Sequence, residues 1–213
     1  LKTPLTSISG YAELIESGIA QGEDTVRFAG EIHKSSQRLL TLINDILRLS
    51  QLDSVEECVD TEPVDLYEMA LNCQDMLEMQ ANKHQVVVRV KGTSEVIQAN
   101  RRMIDELIYN LCDNAIRYNR VGGSVNVTIG EEDHHPFVSV KDTGIGVSKE
   151  DQERIFERFY RVDKSHSREI GGTGLGLAIT RSAVVAHRGA IKVQSTVDEG
   201  TTFIVRIPLR YIV

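Results

Sequence analysis

The sequence predicts an α+β fold in which an all-α helical hairpin precedes an α/β sandwich with a mixed sheet. Residues 1–56 carry two stretches with helical apolar spacing, whereas residues 65–213 alternate helical stretches with β-rich runs. Short turns join two pairs of these runs, and such turns connect antiparallel strands, because parallel strands need long crossovers. We therefore expect antiparallel hairpins within a sheet that helices cover.

The N-terminal stretches predict two amphipathic helices joined by a short loop. In the first, at 5–19, apolar residues recur at helical spacing at Leu5, Ile8, Ala12, Ile15 and Ile19. The second is longer and covers 25–53. A lone hairpin would bury only one side of each apolar stripe, so we expect two copies to form a homodimeric four-helix bundle.

An acidic segment at 54–65 (VEECVDTEPVDL) loses the helical pattern and contains Pro63, so we place the domain boundary there. Beyond it, helices are predicted at 66–82, 101–117 and 177–187. Strands are predicted at 85–90, 124–129, 136–142, 190–195 and 201–209.

The composition is ordinary for a globular protein, with 41% hydrophobic and 26% charged residues and a formal net charge of −7. This acidic balance argues against a large basic surface and hence against direct binding of nucleic acid. The three cysteines form no CxxC pair, which is typical of reduced cytosolic thiols. No apolar run reaches the roughly 18 residues of a membrane-spanning helix, and no Met precedes Leu1. We expect a soluble, cytoplasmic fragment of a longer protein.

Asn110 and Asn114 are four residues apart in a predicted helix, so both amides emerge from the same face. Amide oxygens are hard donors that suit Mg²⁺ held jointly by protein and a triphosphate. Arg117 and Tyr118 follow one turn later and could meet phosphate, ribose or base. By itself the pair is weak evidence, because asparagines at this spacing are more often solvated surface or capping residues.

A second candidate begins with Asp142, which ends a predicted strand and opens the turn Thr143-Gly144-Ile145-Gly146. The carboxylate could accept a hydrogen bond from an adenine amino group. Gly144 and Gly146 would let the backbone turn sharply and approach a flat ring, where a Cβ would clash. An ordinary structural turn explains this motif equally well.

The third candidate is a glycine loop that precedes a predicted helix. It comprises Gly172, Thr173, Gly174, Leu175, Gly176 and Leu177. Backbone N–H groups in such a loop can face phosphate oxygens, and the helix dipole favours the anion. The loop follows a polar segment and lacks the third glycine of a dinucleotide fingerprint, and no Gly-Lys-Ser/Thr follows, so it is not a P-loop.

The order and spacing of the three pieces are more specific than any one of them. Asp142 lies 28 residues after Asn114, and Gly172 lies 30 residues after Asp142. In this order the sequence resembles the histidine kinase branch of the ATPase superfamily that also holds gyrase, Hsp90 and MutL. The resemblance covers about 65–209 and implies an ATP-binding domain.

The resemblance assigns roles to the residues of the three pieces. It implies that Asn110 and Asn114 hold Mg²⁺ and that Asp142 binds adenine. Tyr118 would lie near the nucleotide, and Thr201 would hold a water beside the base. Phosphate contacts would come from Arg117, Arg161 and Lys164. Phe156 and Phe159 resemble packing anchors of the family's Phe-rich box, and 163–172 resembles its mobile lid. Arg117 replaces the family's usual Lys, and HRG at 187–189 replaces the commoner HGG, with His187 expected to act as a cation at a helix end.

The opening LKTPLTSI resembles the segment that follows the phospho-accepting histidine in the family's dimerisation and phosphotransfer hairpin. That register places the acceptor two residues before Leu1, and it matches Thr3 to a position that helps dephosphorylate the response regulator. The remaining histidines, including His33 of the second helix, are expected to be structural or solvent-facing. The fragment is therefore expected to bind nucleotide and dimerise without phosphorylating itself at the usual site.

The resemblance implies a protein-histidine kinase, which transfers the γ-phosphoryl group of ATP to a histidine and then to an aspartate on a response regulator receiver domain. The parent protein would be anchored in the bacterial cell membrane by segments outside this sequence. Two alternatives stay open. One is an ATPase or conformational clamp of the gyrase, Hsp90 or MutL kind, although these generally have a catalytic Glu where this chain has Asn110. The other is a nucleotide-binding pseudokinase scaffold.

Overall fold

The computed structural model describes residues 2–53, 60–162 and 172–208. Its helices are α1 (Lys2–Glu16), α2 (Glu23–Asp53), α3 (Leu66–His84), α4 (Arg101–Arg117) and α5 (Gly176–Ala186), with a 3₁₀ turn at Arg154–Phe156. Its strands are β1 (Glu62–Asp65), β2 (Val87–Gly92), β3 (Val96–Ala99), β4 (Ser124–Glu132), β5 (His135–Asp142), β6 (Ala190–Thr196) and β7 (Gly200–Arg206). No described helix combines the length and apolar character needed to cross a membrane.

The main sheet is mixed, as the sequence predicts. Its five strands run in the order β2-β4-β5-β7-β6, with β2 and β4 parallel and every other neighbouring pair antiparallel. The two predicted hairpins are β4–β5 and β6–β7. Asp133 and His134 turn the first hairpin with φ angles of 52° and 61°, which are left-handed values suited to a two-residue hairpin turn.

A second, two-stranded sheet pairs β1 with β3 antiparallel. Neither strand was predicted from the sequence, since each has only four residues and β1 contains Pro63. β1 also lies inside the acidic segment that was predicted to be a connection. Val64 and Ile97 are nevertheless fully buried, so packing against the domain core makes these short segments extended.

One face of the main sheet forms the core. Along β4, Val125, Val127 and Ile129 are buried while the residues between them are partly exposed, which is the alternation of a strand covered on one side. Side chains of α3, α4 and α5 complete the same buried cluster. The result is a two-layer α/β sandwich, which confirms the predicted fold class.

The helices that cover the sheet begin in two different ways. Asp65 caps α3 by accepting hydrogen bonds from the Tyr67 and Glu68 amides, and Asn100 caps α4 by accepting from the Met103 amide. In α5 the N-cap position is Leu175, which has no side-chain acceptor. The first amides of α5 are therefore left for another acceptor.

The N-terminal hairpin packs α1 against α2, with the Tyr11 and Phe28 rings 5.1 Å apart between centroids. The second half of α2 also packs against the sandwich. Leu49 is buried together with Leu175, Ala178 and Ile179 of the glycine loop and α5. The hairpin is thus docked beside the glycine loop.

His187 corrects one expectation from the sequence. It is buried rather than cationic at a helix end, because Nε2 accepts a hydrogen bond from the Asn100 amide at 3.0 Å and Nδ1 donates to the Ala183 carbonyl at 2.7 Å. Burial lowers the pKa of His187, which outweighs the Ala183 hydrogen bond. A neutral imidazole therefore ties the end of α5 to the start of α4.

This burial predicts a loss of stability in acid. A histidine whose pKa is lower in the folded state stabilises the fold fully above its unfolded pKa of about 6.5, and this contribution disappears as pH falls through the folded value. The free energy of unfolding should fall between pH 8 and pH 5 by a larger amount in the wild type than in His187→Gln. Urea titrations at both pH values measure this difference. His135→Gln, at an exposed position, should keep the wild-type pH dependence; equal dependence in all three proteins contradicts the assignment.

Candidate functional site

The two asparagines lie on the face of α4 that looks toward the start of α5. Both are partly buried and one helical turn apart. Asn110 Nδ2 is buried without a hydrogen-bond partner among the described residues. Asn110 Oδ1 would lie 3.4 Å from a Cβ placed on Gly176, so this amide is directly beneath the glycine loop. A buried amide without a partner costs about 1–3 kcal/mol, which indicates a place for a polar ligand.

Arg117 and Tyr118 follow at the end of α4, where the sequence places them. Arg117 Nε lies 2.7 Å from Asp113 Oδ2, and both side chains are largely covered. Tyr118 is the C-cap residue, and its carbonyl accepts a hydrogen bond from the Ile145 amide at 3.1 Å. The end of α4 is therefore tied to the loop that follows β5.

Asp142 is the last residue of β5 and is only 8% exposed. One carboxylate oxygen, Oδ1, accepts hydrogen bonds from the Gly144 amide at 2.8 Å and the Thr201 amide at 3.1 Å. Burial raises the pKa of Asp142, and these two bonds oppose the shift. The other oxygen, Oδ2, takes part in neither bond and can accept from an amino group of a ligand.

Close backbone contacts explain why both Gly144 and Gly146 of the DTGIG turn must be glycine. A Cβ on Gly144 would lie 2.3 Å from the Tyr118 carbonyl oxygen. A Cβ on Gly146 would lie 2.0 Å from the Thr196 carbonyl oxygen, and its φ of 69° is in the left-handed region. The turn therefore passes between the end of α4 and the β6–β7 hairpin, with no room for a side chain at either position.

Thr201, at the start of β7, is buried beside Asp142. Its hydroxyl lies 2.9 Å from Ser195 Oγ, which in turn accepts a hydrogen bond from the Val147 amide at 2.8 Å. These contacts connect the DTGIG turn to the β6–β7 hairpin. The Thr201 amide binds the Asp142 carboxylate, and the role of Thr201 in holding a water stays a prediction.

The glycine loop is shaped by the segment that follows the 3₁₀ turn. The Phe159 amide donates to the Gly174 carbonyl at 2.9 Å, and Arg161 Nη1 donates to the Gly172 carbonyl at 2.8 Å. Gly174 has φ of 72°, and a Cβ on it would lie 3.0 Å from the Phe159 backbone. Arg161 is therefore held at the loop that was predicted to meet phosphate.

The six residues of the loop divide by burial. Leu175 is completely buried and Leu177 packs against the main core, so these two side chains have packing roles. The Gly176 N–H, at the uncapped start of α5, is left for a ligand, whereas the Gly172 carbonyl already accepts from Arg161. Thr173 donates its hydroxyl proton to Asp45 of α2, and the same oxygen accepts from the Leu175 amide.

One of the two predicted aromatic anchors is wrong. Phe156 packs edge-on against Phe203, with the ring centroids 6.2 Å apart. Phe159, in contrast, is 57% exposed and has φ of 63°. The hydrogen bond from its backbone amide to Gly174 holds this strained conformation, so the residue acts through its main chain rather than through its ring.

Two predicted site residues are not among the groups described above. Thr3 is exposed in the first turn of α1. Lys164 and most of the predicted lid at 163–172 lie outside the described residues.

Helix α2 makes two polar contacts at the edge of the site that were not predicted from the sequence. Asp45 Oδ2 lies 2.6 Å from the Thr173 hydroxyl, and Arg48 Nη1 lies 2.6 Å from Glu106 Oε1, one turn before Asn110. The available sequence signal is that Leu42, Asp45, Ile46 and Leu49 share one helical face. That face is apolar with a single acid, which could have indicated a second packing surface on α2.

Helix α4 thus contacts both other segments of the site, because Asn110 lies beneath the glycine loop and the Tyr118 carbonyl accepts from the Ile145 amide of the DTGIG turn. The amides come from α4, the carboxylate from the end of β5, and the backbone donors from the start of α5. In a ligand with an amino-bearing ring and a chain of phosphates, the ring would meet the carboxylate, and the phosphates would meet the amides and the backbone donors. A divalent cation held by amide oxygens and phosphate fits the α4 face.

Two family sequence models match the chain. The model described as "Histidine kinase-, DNA gyrase B-, and HSP90-like ATPase" matches residues 99–211. The model described as "His Kinase A (phospho-acceptor) domain" matches residues 1–55.

Curated relatives match along almost the whole chain. The chain is 35% identical to the sensor histidine kinase WalK of Bacillus subtilis, over 99% of the chain and 35% of that protein. It is 36% identical to the sensor-like histidine kinase SenX3 of Mycolicibacterium smegmatis, over 98% of the chain and 54% of that protein. The chain thus spans about a third to a half of the length of these relatives.

Solved structures share the arrangement of helices and strands. Full-length ShkA, solved in complex with AMPPNP, superposes with a TM-score of 0.75 at 27% identity, over 97% of this chain and 43% of that chain. The histidine kinase AdeS of Acinetobacter baumannii superposes with a TM-score of 0.77 at 23% identity, over 98% of this chain and 96% of that chain. The second likeness describes the fold alone.

Proposed function

We propose that this chain, which belongs to the sensor histidine kinase family of two-component systems, is the catalytic core that transfers the γ-phosphoryl group of ATP to a histidine. The phosphoryl group would then pass to an aspartate on the receiver domain of a response regulator. The observation that carries the proposal is that α4 holds Asn110 beneath the glycine loop and, at its other end, contacts the turn that Asp142 opens. Asp142 suits the amino group of adenine, while Asn110 and the glycine loop suit the triphosphate.

Within this proposal each segment has a distinct task. Asp142 Oδ2 accepts from the adenine amino group while Oδ1 is held by two backbone amides. The uncapped start of α5 supplies amides and helix dipole to the phosphates. Arg161, held on the Gly172 carbonyl, places a positive charge at the same end of the cleft, and Lys164 is proposed to add a second.

The α4 face fits Mg²⁺. Its two partly buried side-chain amides offer hard oxygen donors one turn apart. The buried Asn110 Nδ2, which lacks a partner among the described residues, can donate to a phosphate oxygen beside the ion. Because phosphoryl transfer passes through a loose transition state, positioning and charge neutralisation do most of the work, and bound Mg²⁺ would supply part of that neutralisation. Asn110 and Asn114 would orient the phosphates with it.

We also propose that the hairpin dimerises and that it is a separate unit, at 1–56, from an ATP-binding domain at 65–213. Exposed apolar residues of α2 recur at intervals of three, four or fourteen residues, at Val26, Leu40, Ile43 and Leu47. This is the spacing of a helix seam, and a second copy of the hairpin would cover it in a four-helix bundle. The exposed Thr3 suits a role in dephosphorylating the response regulator.

The proposal includes a location. The chain would work on the cytoplasmic side of a bacterial membrane, in a longer protein whose other segments anchor it there. The length of the relatives, of which this chain spans about a third to a half, supports a longer parent.

The clamp alternative is weaker, because Asn110 occupies the position of the catalytic Glu of that class. The nearest acid along α4, Glu106, is engaged by Arg48. The pseudokinase alternative is also weaker, because a pseudokinase would lack a group of the nucleotide site, and none is missing among the described residues.

The experiment that tests the function uses Mg-ATP and a separately supplied helical hairpin that carries the phospho-accepting histidine. We expect Mg-dependent ATP binding by the wild type, followed by phosphorylation of the supplied histidine. Asn110→Ala and Asn114→Ala should lower the transfer rate by roughly 100-fold or more, which is typical when a group that stabilises developing charge is removed. Radiolabel transfer measures the rate.

Asn72→Ala is the matched control, because it removes an exposed asparagine from helix α3 and should transfer at the wild-type rate. ATP binding without transfer would instead support the clamp or the scaffold. Transfer that does not respond to either substitution on α4 would contradict the proposed magnesium site.

A further inference from the structure

The docked face of α2 ends on the glycine loop. Asp45 lies 2.6 Å from the Thr173 hydroxyl, which is the side chain between Gly172 and Gly174. The same hydroxyl oxygen accepts from the Leu175 amide at 3.3 Å. Asp45 thus fixes Thr173 in an orientation that also occupies one of the backbone donors before α5.

The contact with Asp45 belongs to a continuous interface. Leu49 is buried against Leu175, Ala178 and Ile179, and Leu42 and Ile46 pack on the same cluster. At the far side, Arg48 Nη1 lies 2.6 Å from Glu106 Oε1 on α4. The α2 face therefore spans the glycine loop, the first turns of α5 and the helix that carries Asn110.

This arrangement is unfavourable for a triphosphate in two ways. It places a carboxylate beside the loop whose amides are proposed to receive phosphate, and like charges at short range repel each other, most strongly where water is excluded. It also engages the proton of the Thr173 hydroxyl, which could otherwise donate to phosphate. Both effects disappear if α2 leaves the loop.

We propose that helix α2 and the triphosphate of ATP compete for the glycine loop, so that docking of α2 lowers nucleotide affinity. This inference deepens the proposed function and rests on it. Coupling between two binding events is reciprocal: a docked helix that weakens ATP binding by a given factor is itself released by ATP by the same factor. Asp45 is the residue in direct competition, while Arg48 and Leu49 act by holding α2 in place.

Three substitutions in the full chain test the competition. Asp45→Ala, Arg48→Ala and Leu49→Ala each weaken the α2 interface, and each should bind Mg-ATP about three- to tenfold more tightly than the wild type. Arg48→Ala is the decisive variant. Through charge alone, loss of a cation near the cleft would weaken the binding of an anion, so tighter binding requires release of α2. Isothermal titration calorimetry measures the affinities, and circular dichroism checks that each variant is folded.

Glu31→Ala is the matched control. It removes one negative charge from the same helix, about 21 Å along α2 from Asp45 at 1.5 Å per residue, and should bind ATP as the wild type does. Unchanged or weaker binding by Arg48→Ala and Leu49→Ala overturns the competition while leaving ATP binding itself intact. A wild-type chain that binds no Mg-ATP overturns the proposed function instead, and the competition with it.

The reciprocal effect is measured by amide hydrogen exchange in the wild type. Saturating Mg-ATP should speed exchange in 42–49 of α2, and exchange in 26–33 of the same helix serves as the internal reference. Binding of ATP without any change in 42–49 also overturns the competition.

Discussion

Gly146→Ala is expected to abolish ATP binding and to lower the free energy of unfolding by about 3 kcal/mol or more. The new Cβ would lie 2.0 Å from the Thr196 carbonyl oxygen and 2.7 Å from its carbon, and both are backbone atoms that no side-chain rotation can move. A φ of 69° adds conformational strain for alanine. The DTGIG turn would have to move away from the β6–β7 hairpin.

That movement would also break the anchors on both sides of Gly146. The Ile145 carbonyl accepts from the Asp198 amide at 2.8 Å, and the Val147 amide donates to Ser195 Oγ at 2.8 Å. Asp142 shares this network through Thr201. The loss of affinity and the loss of stability therefore have one cause.

Chemical denaturation and ATP titration measure the two effects of Gly146→Ala. Gly122→Ala is the control, because Gly122 has a similar φ of 77° but open space around the position of a Cβ. It isolates the cost of the backbone angle, about 1 kcal/mol, and should bind ATP normally. A Gly146 variant that behaves like the Gly122 variant would show that the close contact has no role.

Asp142→Asn should lower ATP affinity by roughly 10- to 150-fold, equivalent to about 1.5–3 kcal/mol for a lost hydrogen bond to a charged group. An Asn side chain can keep the oxygen that accepts from the Gly144 and Thr201 amides, so the turn should persist. The change falls on Oδ2, where an amide NH₂ would face the adenine amino group donor to donor.

The same substitution should alter the choice of base. Guanine carries a carbonyl where adenine carries its amino group, and an Asn amide can donate to that carbonyl. Competition titrations with ATP and GTP should therefore show a smaller preference for ATP in Asp142→Asn than in the wild type. Asp133→Asn, at an exposed turn position with φ of 52°, should change neither affinity nor preference. An unchanged preference for ATP over GTP in the Asp142 variant would contradict the assignment of Asp142 to the base.

Local patterns predicted the secondary structure of the ATP-binding half well. The predicted helix at 101–117 coincides with α4, because its apolar residues keep helical spacing between an Asn cap and Tyr118. The strands of the two hairpins were predicted from alternating apolar and polar residues, which occur because one face of each strand is buried. β1 and β3 were missed, because four residues are too few to show a period.

The predicted surroundings of a side chain were wrong where a contact with a residue distant in sequence determines them. Phe159 is an apolar residue of a type usually found in cores, yet the hydrogen bond from its backbone amide to the Gly174 carbonyl leaves its ring exposed. His187 resembles a cation at a helix end, yet the Asn100 amide, 87 residues earlier, makes it a buried acceptor. Neither contact leaves a periodic trace along the chain.

Local sequence patterns were enough to identify the groups proposed to bind a nucleotide: two amides one turn apart, a carboxylate before two glycines, and a glycine loop before a helix. These depend on helix geometry and backbone freedom, which are local properties. The contact of Asp45 of the hairpin with Thr173 of the glycine loop, 128 residues away, depends instead on how the folded hairpin docks. Such a contact forms because two surfaces distant in sequence exclude water together, and no local pattern encodes which surfaces will meet.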